Sequence, residues 1–219
     1  MLRPGRLFML ALLGAVIYVG FFAEPASRRD PGAFDPAVAA THEAAIWQSA
    51  AAREDFGVYF NTVLLLRDLH GYTWFRAARA AYPLSQATLA FVGQREKYER
   101  LLPDLQEAAE DEKAWTSASF DPAAVARAQL TAWLAPRTPG IDPEDVAERI
   151  ADELALRYDL PAGLVMEAAL QRANALALSG EGGVDPDWPS ITRTLTVSYA
   201  SLGGALRRTH ARRAPRTAP

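Results

Sequence analysis

Residues 34–47 read FDPAVAATHEAAIW; residues 120–133 read FDPAAVARAQLTAW. Laid one over the other without a gap, they agree at six of fourteen positions, including both ends, and Glu43 faces Gln129. Each stretch carries Asp-Pro, a strong helix start. The Asp side chain accepts from backbone N–H groups that have no partner inside the helix, and Pro at the first helical position gives up only an N–H of that same kind. Asp142-Pro143 repeats the device. Farther out, with small gaps, Leu66-Arg67, Asp68-Leu69 and Ala77-Ala78 fall against Leu156-Arg157, Asp159-Leu160 and Ala168-Ala169. Tyr98, Leu101 and Leu105 then fall against Trp188, Ile191 and Leu195. This register implies two copies of a four-helix unit, 34–118 and 120–206. Each would leave an apolar face uncovered and bury it against the other, as stacked repeats do. The expected fold is one pseudo-symmetric, all-α helical domain, with the equivalent Trp47 and Trp133 as packing anchors.

Asp-Pro starts and Gly-based stops predict helices over roughly 36–54, 57–69, 73–92, 95–115, 122–135, 143–158, 162–178 and 189–210. No stretch alternates as a strand would. In the second helix Phe60, Val63, Leu64 and Arg67 trace one face, widened by Tyr59, Leu66 and Leu69; in the sixth, Val146, Ile150, Leu154 and Tyr158 form a narrower stripe. Pro83 and Pro103 fall inside predicted helices, which should kink or divide there.

Ahead of this domain, Leu7 to Ala23 is an uncharged, mostly apolar run of 17 residues between Arg3, Arg6 on one flank and Glu24, Pro25, Arg28, Arg29 on the other. As a helix it would rise ~25 Å, close to the hydrocarbon thickness of a bilayer. Cleavage sites of the A-x-A kind are poor, since Phe21 stands two before Ala23 and Glu24 two before Ala26. Residues 1–23 therefore read as a signal anchor, with a signal peptide and secretion after cleavage as the alternative, and 24–33 as a linker. The basic residues ahead of the run favour a cytoplasmic N-terminus and an extracytoplasmic domain.

Chemistry is harder to find. The 219 residues include no cysteine, which removes disulfides, thiolate metal sites and Cys nucleophiles. His42, His70 and His210 are the only histidines, and none has the i+3 or i+4 partner of a metal-binding helix, so no metal and no cofactor is expected. Glu43 shares a helical face with Trp47. If buried near Arg67 or Arg157 it forms a structural ion pair; the rival reading is an enzyme site at the repeat seam, with Glu43 as acid or base beside His42 or His70. Ser198, Tyr199 and Ser201 lack any nucleophile motif. The glycines of SGEGG (179–183) are punctuation, and Glu107, Glu110, Asp111 and Glu112 read as a solvated helix face.

Charge is asymmetric. Asp30 to Leu206 holds 25 acidic and 14 basic residues, whereas 207–219 has five arginines, Arg207, Arg208, Arg212, Arg213 and Arg216, and no acid. That stretch reads as a basic disordered tail able to meet anionic lipid beside the membrane of residues 7–23. Nucleic acid is not expected, because the acidic body would repel a phosphate backbone.

Three motifs, FDPAVAATHEAAIW, YERLLPDL (98–105) and DWPSITRTLTVSYASLGGAL (187–206), give the chain a further character. With the apolar leader, it resembles a group of uncharacterised bacterial, N-terminally anchored helical proteins. The resemblance implies an anchor and a helical body, and no activity. The expectation is therefore a membrane-tethered interaction or scaffold module with a protein partner.

Overall fold

Each of the three Asp-Pro pairs caps a helix. Asp35 accepts from Ala37 N at 2.8 Å, Asp121 from Ala123 N at 3.1 Å and Asp142 from Glu144 N at 2.9 Å. A cap of this kind contributes about 1 kcal/mol. The computed structural model describes residues 32–93, 97–116, 118–179 and 186–213, with Gly14, Tyr18 and Asp30. The anchor over 7–23 lies outside these residues apart from Gly14 and Tyr18, and so do Arg28, Arg29 and Arg216. Among the described residues no helix is long and apolar enough to cross a membrane.

Eight α-helices and no strand occur among the described residues. They are α1 (Pro36–Ala51), α2 (Asp55–His70), α3 (Trp74–Gly93), α4 (Leu102–Thr116), α5 (Pro122–Leu134), α6 (Pro143–Tyr158), α7 (Ala162–Ser179) and α8 (Trp188–Arg213). Single 3₁₀ turns cover Tyr98–Leu101 and Ala135–Arg137. Pro103 is the second residue of α4, behind the first of those turns, so the fourth predicted helix divides where its proline stands. Pro83 is different: α3 runs on through it. Gly71, at φ 66°, ends α2 in the left-handed conformation that glycine adopts without strain.

Each helix packs on its sequence neighbours, and α8 returns to α1 to close the bundle. Neighbours run antiparallel. His42 reaches Asp68 at 3.1 Å near one end of the α1–α2 pair. At the other end a Cβ on Gly57 would lie 2.5 Å from Ser49 Oγ. Ser198 Oγ donates to the Ala168 carbonyl at 2.7 Å across α7 and α8. The main core is built from α1, α2, α6, α7 and α8, and a second cluster joins α3, α4 and α5 through Ala87, Leu101, Leu105, Ala126 and Leu130. Trp47 packs on the first of these and Trp133 on the second.

Three expectations need correction. The buried face of α2 is Val58, Thr62, Val63 and Leu65; Phe60 is exposed and stacks on Phe56 at 5.9 Å. Asp111 and Glu112 are buried rather than solvated, because arginines from other helices neutralise them. The basic arm is not disordered from residue 207, since α8 continues as helix to Arg213.

Candidate functional site

The charged residues of the interior stand at helical spacing inside apolar stripes. Glu43 follows Ala39 and Ala40 along α1, Glu112 follows Leu105 and Ala109 along α4, and Arg172 follows Val165 and Ala169 along α7. A charge at i+3, i+4 or i+7 within a buried stripe has to be carried inward with it. The charges then find each other across the bundle.

Glu43 is met by Arg172, which donates to Oε1 through both Nε, at 3.1 Å, and Nη2. Tyr199 OH donates to the other oxygen, Oε2, at 2.6 Å. The group joins α1 to α7 and α8. Arg157, on α6, donates from Nη1 to Glu112, from Nε to Glu153 at 2.5 Å and from Nη2 to Gln129 at 3.0 Å. Asp111 accepts from Arg76 at 3.3 Å and from Arg79. Arg76 also lies over the Trp115 ring, 4.7 Å from its centroid, and the Trp115 indole N–H donates to the His70 carbonyl at 2.8 Å.

The electrostatics follow from burial. The Tyr199 phenol is pushed well above its ordinary range by desolvation and then by Glu43. Tyr158 and Tyr72 also move upward, through desolvation first and Glu112 next. For Arg157, burial alone would lower the pKa, but Glu112 and Glu153 outweigh it and the net direction is up. Arg172 behaves alike through Glu43. These cations stay charged and the phenols stay neutral.

His70 moves down from its ordinary 6.5, driven by desolvation against the pull of Glu112, with Arg157 adding to the drop and Asp111 opposing it. In the unfolded chain it takes up a proton near pH 6.5; in the folded protein it does so only at lower pH. Its contribution is therefore intact above about pH 6.5 and is lost as the pH falls from there towards the folded value. Thermal melts between about pH 7.5 and pH 5.5 should show this decline, and His70→Asn should flatten it. An unchanged slope in the variant would assign the decline to other groups.

Of the residues singled out from sequence, Glu43 does form a buried ion pair, but with Arg172 rather than Arg67 or Arg157. His42 turns to Asp68, and His70 lends its carbonyl to Trp115. The structure thus does not gather Glu43, His42 and His70 into one hydrogen-bonded group. A general acid or base needs an oxygen within hydrogen-bond reach of substrate, and both Glu43 oxygens are already engaged. Among the described residues Arg67 Nε is the one buried side-chain polar atom without an acceptor, and its guanidinium lies 3.7 Å from the Trp74 ring centroid. Among the described residues no group of three acidic or histidine side chains is placed to hold a metal.

A pair of adjoining surface clefts is lined by described residues of α5, α6 and their flanks, and neither cleft includes Glu43, His42 or His70. One of about 500 Å³ is bounded by Ala128, Thr131, Arg149, Asp152, Leu156 and Leu160. The other, about 220 Å³, shares Ala155 and Leu156 and extends to Phe120, Asp121 and Asp159. Together they make a groove along α5 and α6, a feature that periodicity could not signal because it depends on how far two helices splay. No protein-family model matches the chain, no curated protein matches it, and no solved structure does.

Proposed function

We propose that this chain is a membrane-tethered, extracytoplasmic helical interaction module of two related halves, which holds a partner segment in the groove between α5 and α6. The observation that carries the reading is the contrast between the two polar regions. The carboxylates inside the bundle are each engaged by an arginine, whereas the groove presents an apolar floor to solvent. Leu156, in both clefts, is 47% exposed. Ala124, Ala128 and Ala155 surround it, with Asp121 and Asp152 on the rim against Arg149. An apolar segment with basic flanks suits that chemistry.

Burial supports the duplication. Phe34 and Phe120 are both 7% exposed, and Ala39, Val125, Leu105 and Leu195 are all fully buried. The tether rests on the uncharged run at 7–23. Leu66, aligned with Leu156, packs against the cluster of Val63, Tyr72 and Trp115 and is not exposed, so the open groove belongs to the second half.

A photo-crosslinking residue at Leu156 of the full chain in its native membrane should give one discrete adduct, which Ala128→Arg removes and Arg100→Gln leaves in place. A smear, or an adduct indifferent to Ala128→Arg, would remove the groove from the reading. The tether is checked separately: the full chain should stay with the membrane through an alkaline carbonate wash, and full recovery in the supernatant would end that part.

A further inference from the structure

Helix α8 outruns the bundle. Ser198 is level with Ala168 of α7, and α7 begins at Ala162, so antiparallel packing brings that end level with about residue 204 of α8. Burial stops at the same place: Ala205 and Leu206 are 0% and 3% exposed, while Arg207, Arg208, His210 and Ala211 lie open. The helix nevertheless continues to Arg213, a projection of roughly 10 Å at 1.5 Å per residue. Two helical turns beyond the last buried residues are poorly stable by themselves, and their four arginines, Arg207, Arg208, Arg212 and Arg213, have no matching acid within the segment.

The chain's entry is fastened to the base of this projection. Arg207 Nη1 donates to the Gly32 carbonyl at 2.6 Å. Gly32, at φ +83°, sits so close to α8 that a Cβ on it would lie 2.8 Å from the Gly203 carbonyl oxygen. Gly32, nine residues in sequence after the apolar run 7–23, therefore sits beside the basic helix end. Leu164, in the first turn of α7 at the same end, is exposed.

We infer that the overhanging end of α8 is a docking peg for anionic lipid headgroups, which sets how the tethered domain stands on its membrane. Helix-end arginines complement the negative C-terminal pole of their own helix and the negative surface together. The acidic body opposes such an approach. The overhang, however, is comparable with the Debye length of ~8 Å at physiological ionic strength, so the peg reaches the headgroups while repulsion from the body is screened. Nucleic acid offers the same charge but no apolar phase for the run at 7–23.

The inference rests on the tethered reading for its geometry, and the test separates the two. Because the chain has no cysteine, Ala211→Cys in the full-length protein gives one unique site for an environment-sensitive dye. The labelled chain is mixed with vesicles of phosphatidylcholine, or of phosphatidylcholine with about one-third phosphatidylglycerol, carrying a headgroup-level quencher. Quenching should appear only on the anionic vesicles, vanish in about 0.5 M salt, and be absent for a dye at Ala52→Cys on the opposite end. Arg208→Gln and Arg212→Gln should each lower the docked-to-undocked ratio about fivefold. Flotation with both lipids but equal or no quenching overturns the peg and leaves the tether standing. Flotation with anionic vesicles alone, at low salt, supports the peg and sinks the tether. Absence of flotation, or a dye that responds to duplex DNA and not to vesicles, overturns the peg.

Discussion

Replacing Arg157 by methionine lowers the unfolding free energy by about 3–5 kcal/mol. The guanidinium ties α6 to Glu112 of α4, to Glu153 within α6 and to Gln129 of α5. Exposure fixes the size of the effect. The Arg157 and Glu112 side chains are 16% and 7% exposed, and Glu153 is 11%. Methionine strands two neighbouring carboxylates where water scarcely reaches; the same change at an open surface would cost at most about 1 kcal/mol. Removing all three charges is another matter, because the desolvation cost disappears along with the attraction. Arg157→Met combined with Glu112→Leu and Glu153→Leu should return to within about 1 kcal/mol of the parent. Denaturant unfolding followed by tryptophan fluorescence reads both. A loss below about 1 kcal/mol in the single variant would show that the network is hydrated. A combined variant as weak as the single one would show that the ionic contacts hold the bundle by themselves.

How far the sequence foretold this molecule depends on the range over which each residue acts. Asp35, Asp121 and Asp142 cap helices through N–H groups two residues away, so three helix starts were legible from adjacent letters. The all-helical class and the count of eight body helices followed from such punctuation. Partner choice was not legible. Glu43 and Arg172 are 129 positions apart, and which arginine reaches Glu43 depends on the rotation of α1 against α7, a property of the assembled bundle. Asp111 and Glu112 depart from the sequence expectation for a related reason: four acids within six residues suggest a solvated face, although Glu112 stands at i+7 from the fully buried Leu105 and i+3 from Ala109. That spacing was a usable signal, outweighed by composition. In α2 the aromatic Phe60 drew the predicted core face towards itself, whereas the buried line runs through Val58, Thr62 and Leu65. The α5–α6 groove and the overhang of α8 depend on helix splay and relative length, and no local pattern encodes either.

At the other ionic group, Arg172→Leu should cost more than Glu43→Leu, although both break one pair. The Glu43 side chain is 6% exposed and that of Arg172 is 24%. A stranded arginine can extend its long stem and hydrate its head; a stranded carboxylate on α1 cannot. Losses of about 3–4 and about 2 kcal/mol respectively are expected, the first already softened because Tyr199 still donates to Glu43 at 2.6 Å. The phenol therefore matters more once the arginine is gone. Tyr199→Phe should cost about 1 kcal/mol in the parent and about 2–3 kcal/mol on top of Arg172→Leu, a coupling that a double-mutant cycle measures directly. Equal losses for Arg172→Leu and Glu43→Leu, or additive losses with Tyr199→Phe, would contradict this. Because the group fastens α1 to α7 and α8, its loss should also raise amide exchange in α1 before it does so in α3 or α4. Chemistry centred on Glu43 predicts the reverse pattern: Glu43→Gln would abolish an activity while stability and the exchange profile of α1 stayed as they were, since a catalytic carboxylate is held ready for substrate rather than committed to the fold.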